Sequence, residues 1–257
     1  MFDADLQPRI EASHDLRQAD KVASAATKPG RVAALAEAAA ELQDAYARHG
    51  VALTGFGVEA SQSVDAVQVL EAARLATCAL YAFVRDRVSA DIRTPDPAVP
   101  RTNNESATRA LARDFKPSES ELRNLSPDKI KETINAAAGG LRNDSAYAGV
   151  GQRASFADRL DAQSAVLETA KKRAELEAAE ATQAQSGLGE TRNALTRALT
   201  VYANQVESVL GAEERVGEIG SYVLAFDPAY RARRADKKPL AEEPDANNPG
   251  VDVIVPT

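Results

Sequence analysis

The chain reads as a succession of apolar stripes at helical spacing. Leu6, Ile10, Leu16, Ala19 and Ala23 fall on one face of a helix predicted from about residue 6 to 26, with Pro8 tolerable in its first turn. Thr27-Lys28-Pro29-Gly30 interrupts it, and Val32, Leu35, Ala39, Leu42 and Tyr46 form a second stripe. That stripe is expected to end at Arg48-His49-Gly50, where cations suit a helix C-terminus and glycine suits the left-handed residue beyond it. Ser61 or Ser63 then caps a longer helix through Val67, Leu70, Ala73, Thr77, Tyr81, Val84, Val88 and Ile92, ending before Pro95, Pro97 and Pro100. No charge occurs between Arg74 and Arg85, which predicts this element as the most buried one.

The pattern changes from residue 94 to 151, where Pro- and Asn-rich joints separate short pieces. Asn103 or Asn104 caps a piece ending near Phe115. Ser118 with Glu121 has the spacing of a capping box, and Ser126-Pro127 is a cap followed by proline at the first helical position. Ile130, Ile134 and Leu141 anchor the last piece. Beyond it, Ser155 with Asp158 opens a helix through Phe156, Leu160, Leu167, Ala170, Ala174 and Ala181 to about residue 185. Lys171–Glu175 and Arg173–Glu177 are i,i+4 pairs on its charged outer face. A final helix, about 190 to 224, carries Leu195, Leu199, Tyr202, Val206, Val209, Val216 and Val223, with Glu213 and Gly220 interrupting the seam.

One pattern recurs. Thr54-Gly55-Phe56-Gly57 has a counterpart in Ser186-Gly187-Leu188-Gly189, 132 positions on, and Asp96-Pro97-Ala98 in Asp227-Pro228-Ala229, 131 positions on. Leu35 and Leu167 share the first offset. Read as tight turns, the glycine pairs predict two αα-hairpins related by duplication. The expected fold is all-α, an antiparallel four-helix bundle with a short-helix crossover and an extended C-terminal tail. The segments are 1–93 (hairpin with a leading helix), 94–151 (crossover), 152–226 (second hairpin) and 227–257 (extended or disordered tail).

Composition refines this picture. With 257 residues, 44% of them hydrophobic but only 5% aromatic and no Trp, the core must be aliphatic and tightly spaced. A formal charge of −7 disfavours bulk nucleic acid and anionic membranes as partners. A single cysteine, Cys78, rules out an intramolecular disulfide framework and a Cys-based zinc site, and fits a reducing cytosol. Met1 to Arg9 lacks a basic and then apolar leader pattern, so a cytoplasmic location is expected, with leaderless export left open. The uncharged run Leu75 to Val84 falls short of the roughly 20 residues that span a bilayer, so no membrane span is expected.

Catalytic chemistry finds little support. Glu11-Ala-Ser-His14 matches half of a di-metal carboxylate motif, but the other histidine, His49, has Tyr46 three positions before it. Cys78 lies in the apolar helix, where a thiol packs as a small hydrophobe. The glycine pairs continue into neither a P-loop nor a dinucleotide fingerprint, and Gly139-Gly140 reads as a helix ending. No catalytic, cofactor-binding or metal-ligating residue is expected, and the chain is not expected to be an enzyme.

The tail offers a handle for partners. Tyr230, Arg231, Arg233, Arg234, Lys237 and Lys238 form a basic run before the acidic Glu242-Glu243-Pro244-Asp245, and Val251, Val253 and Val255 make an apolar tip suited to strand addition or to packing on the helices. The leading expectation is a non-enzymatic structural or interaction protein that associates with itself through bundle faces or this arm. Two alternatives stand beside it: a secreted helical effector or cytolysin-like protein that inserts its apolar helix, and a helical enzyme working in the crossover.

Overall fold

A computed structural model describes residues 2–94 and 104–236, and the side chains of Phe2, Asp3, Asn104 and residues 234–236 lie outside the description. The described residues are overwhelmingly helical and contain no strand, as the stripes require. Eight α-helices occur in order: α1 (Phe2–Ala25), α2 (Pro29–Arg93), α3 (Asn104–Asp114), α4 (Glu119–Arg123), α5 (Pro127–Asn143), α6 (Arg153–Ala212), α7 (Ile219–Tyr222) and α8 (Pro228–Asp236).

The two glycine pairs are not turns. Gly55 and Gly57 lie inside the 65-residue α2, and Gly187 and Gly189 inside the 60-residue α6. None of the four has a positive φ, so the glycines use ordinary right-handed helix and the expected hairpins do not form there. Flanking residues explain why: the segments around each pair are rich in Ala, Val, Leu, Glu and Gln, and no proline breaks them. His49 and Gly50 are likewise helical, not a helix ending.

The chain divides into two compact units, Met1–Ala52 with Leu188–Thr257, and Leu53–Gly187. In the first, Leu35, Leu42 and Ala45 of α2 share a core with Ala12 and Val22 of α1 and with Leu195, Tyr202, Val206 and Leu210 of α6. The break at residues 26–28 is held by Glu213, whose carboxylate accepts bonds from the Thr27 N–H (3.2 Å) and hydroxyl (2.6 Å). Helix α6 stops at Ala212, short of the expected residue 224. Glu214 takes a left-handed conformation (φ 57°), and the Arg215 N–H returns to the Leu210 carbonyl at 2.8 Å, a helix ending made without glycine.

Residues 227–257 are expected to be an extended or disordered tail, but Pro228–Asp236 is a helix. Asp227 provides the reason, since its carboxylate accepts the Ala229 N–H at 2.8 Å and Pro228 stands at the first helical position, where no N–H is needed.

In the second unit the core runs from Cys78, Tyr81, Val84 and Val88 on α2 to Ile130, Ile134, Ala138 and Leu141 on α5 and Phe156, Leu160 and Leu167 on α6. Two of the cap signals read from sequence are present. Ser118 and Glu121 form a reciprocal capping box on α4, and Ser126 caps α5 ahead of Pro127. Two others are not: Ser61 and Ser63 lie inside α2, and α6 opens at Arg153, where Asp158 instead accepts from Arg142 of α5 at 2.7 Å. Lys131–Glu168 and Lys171–Asp128, each 2.6 Å, add further ties between α5 and α6.

Candidate interaction surface

Helix α2 in the second unit carries the most unusual surface. Ala73, Thr77, Cys78, Tyr81, Val84, Val88 and Ile92 point into the core at spacings of one, three and four, and burial pushes the Cys78 thiol pKa up, as expected of a structural cysteine. Away from that face further apolar side chains are exposed, Val58, Val64, Val67, Val69, Leu75 and Phe83, with the polar Asp65, Gln68 and Glu71 among them. The most apolar 18-residue stretch of the helix has a mean hydropathy of 1.4, yet only 28% of it is buried. The expectation that this helix is the most buried element is therefore corrected, Val67 included. A helix apolar all round was read as central, but its own unit covers one side only.

Two cations flank Phe83. The guanidinium carbons of Arg87 and of Arg159, on α6, each lie 5.5 Å from the Phe83 ring centroid. Val166 and Leu176 of α6 are exposed in the same unit.

The residues singled out in the tail divide into two groups. Tyr230 on α8 is half-buried and its hydroxyl donates to Glu11 of α1 at 3.3 Å. Arg231 and Arg233 are exposed, and Arg233 bonds back to the Ala229 carbonyl of its own helix. Arg234 belongs to α8, and Lys237, Lys238, Val251, Val253 and Val255 lie outside the described residues.

Sequence reasoning missed the buried polar side of α1. Asp5, Ala12, Asp15 and Val22 are buried at steps of seven, three and seven, whereas Leu6 and Ile10, expected inside, are exposed. Asp5 receives Arg192 Nε at 2.5 Å, and His49 Nε2 lies 3.7 Å from the same oxygen. His49 is fully buried, with Nδ1 3.2 Å from the Thr191 hydroxyl, and this desolvation lowers its pKa. Asp15 accepts the Leu224 N–H at 2.8 Å through Oδ1, its Oδ2 has no hydrogen-bond partner, and burial raises its pKa. The heptad-like steps would have been visible had the two aspartates been counted as inward-facing positions.

Glu11 and His14, the half motif, do not converge on a common point: Glu11 accepts from Gln7 and Tyr230, and His14 Nδ1 lies 3.1 Å from Asp15. A different carboxylate group, Glu59, Glu177 and Glu180, brings oxygens within 4.8 Å of one another, with Arg173 Nε 3.7 Å from Glu177. Comparison with protein-family models, with curated proteins and with solved structures gives no match.

Proposed function

We propose that this chain is a non-enzymatic interaction protein that associates with itself through the open apolar side of α2 between Val64 and Phe83. The observation that carries the reading is the apolar stretch that is only 28% buried. Exposed apolar side chains gathered along one stretch of helix mark association sites more often than scattered single residues do. A long helix with side chains at spacings of three and four presents such a surface to another helix. The buried polar groups fit a structural role as well, because Asp5, Asp15 and His49 are spent on holding helices together.

The internal duplication is proposed in a changed form, each copy contributing one long helix with a glycine pair in its interior. In its favour, Leu35 and Leu167, Ala38 and Ala170, and Ala66 and Ala198 are buried at matching positions. A four-helix bundle, with the C-terminal arm as an added contact, belongs to the same proposal.

Solution mass measured by light scattering over a concentration series tests the reading. The intact chain is expected to exceed the monomer mass of 27.3 kDa, and Val64→Glu with Leu75→Glu to return it to that mass with an unchanged helical spectrum. A chain that stays monomeric throughout refutes self-association. Loss of association on removing residues 237–257, with the α2 variant unaffected, moves the interface to the arm.

A second reading is favoured by the length of the same stretch. Eighteen residues at that hydropathy approach the roughly 20 needed to cross a bilayer. Release of dye from anionic and neutral vesicles, absent in the Leu75→Glu variant, is its expected signature.

A further inference from the structure

Helix α2 and helix α3 of the second unit border a groove of about 280 Å³. We propose that it binds a small amphipathic anion, a single carboxylate or phosphate head on a short apolar stem. This site is separate from the surface proposed for association.

The head has a built receptor. Arg85, Ser89 and Arg93 line the groove at steps of four along α2, so two guanidinium groups flank a hydroxyl on one face. No carboxylate is among the lining residues. Arg93 has no ion pair among the described residues, and Ser89 makes no side-chain hydrogen bond there. Among the described residues Arg85 pairs only with Asp86, which is 72% exposed and reaches it at 3.4 Å, too long for a strong charge-assisted bond. Asp114, next to Phe115 in sequence, is already engaged, because it accepts from Arg113 and from the Tyr147 hydroxyl. Among the described residues, Arg93 thus has no ion pair and Arg85 only the exposed Asp86, and arginine is the side chain whose planar fork matches carboxylate and phosphate oxygens.

The stem has a receptor too. Leu111, Ala112 and Phe115 form the apolar wall, and the Phe115 ring packs on Tyr81 with centroids 5.1 Å apart. Tyr81, one turn before Arg85, is wholly buried, and its hydroxyl has no hydrogen-bond partner. Burial pushes that phenol up to about 12, with Arg85 acting in the opposite direction. At about 280 Å³ the groove lies just below the usual range of small-molecule sites, which suits a short stem. A few convergent polar groups over an apolar floor are the usual composition of a small-molecule site.

Calorimetric titration of the full chain with octanoate and with octyl phosphate tests the proposal, with octanol and acetate as the head-free and stem-free controls. Saturable one-to-one binding of at least one anion is expected, and which of the two binds tighter identifies the head. Arg85→Gln and Arg93→Gln should each weaken it about tenfold, the loss of one charge-assisted contact. Ala112→Phe, which fills the groove from an exposed position, should abolish it while the thermal melt is unchanged. The proposal is overturned if neither anion saturates, if octanol binds as tightly as octanoate, or if the double arginine variant retains full affinity.

Discussion

Two adjacent glycines in α5 separate what glycine is needed for from what it merely tolerates. A Cβ at Gly140 would stand 2.7 Å from the carboxylate carbon of Asp114, whereas one at Gly139 would meet nothing within 4 Å. Asp114 cannot easily give way, because Arg113 holds it at 2.6 Å while reaching Asp144 at 2.8 Å, and the buried Tyr147 hydroxyl donates to it at 3.1 Å. Gly140→Ala is therefore expected to destabilise the chain by roughly 1–3 kcal/mol, the scale of a disrupted buried hydrogen bond to a charged group. Gly139→Ala should instead stabilise by about 0.5–1 kcal/mol through helix propensity. Urea denaturation of the two variants checks both signs, and equal effects would mean that Asp114 does not press on the helix. At this scale the sequence was legible where a residue acts on its neighbours. The caps at Ser118 and Ser126 follow from spacing alone, and so do the anchors Ile130, Ile134 and Leu141. Spacing alone marks Asp5 and Asp15 as inward-facing, but not what they bond, because their partners, Arg192 and Leu224, lie more than 180 positions away.

Among the helices, the misreading of the glycine pairs is instructive. Gly-x-Gly signals a turn only if the backbone adopts a positive φ, and nothing local decides that against a long run of helix formers. The structure shows no need for glycine at positions 55, 57, 187 or 189, since a Cβ at any of them would lie in open space. Each glycine costs its helix about 0.5–1 kcal/mol relative to alanine. Gly55→Ala with Gly57→Ala should accordingly raise stability by roughly 1–2 kcal/mol, and the matching pair in α6 should do the same. A hairpin turn at these sites would give the opposite result, because alanine is strained where φ is positive. Thermal and urea melts of the two double variants thus test the continuity of α2 and α6 directly. The exposed side of α2 carries a related lesson. Apolarity was read correctly from the sequence between Arg74 and Arg85, but how many sides a neighbour covers depends on the fold, and periodicity carries no information about it.

For the molecule as a whole, pH is the condition that reports on the buried polar contacts of the first unit. His49 is fully buried beside Asp5, Arg9, Arg192 and Thr191, and its pKa is lowered, with desolvation as the largest cause. In the unfolded chain it titrates near 6.5, so below that pH the unfolded state binds a proton that the folded state resists. Its contribution to stability is therefore present above the unfolded value and lost as pH falls. Asp15 has the opposite sign: its raised pKa means that the unfolded chain releases a proton the folded one retains, so acidification relieves the strain of burying its charge. The lowered carboxylates Asp144, Glu213 and Glu218 lose their contributions only below the ordinary carboxylate range, outside the near-neutral window. Between pH 7.5 and 5.5 the midpoint of thermal unfolding is thus expected to fall, with His49 as the cause. His49→Gln keeps a polar side chain of similar reach and removes the titration, leaving a flat profile or, through Asp15, a gentle rise on acidification. Circular dichroism melts of the two proteins at matched ionic strength make the comparison. An identical fall in the variant would place the proton elsewhere and remove His49 from the account.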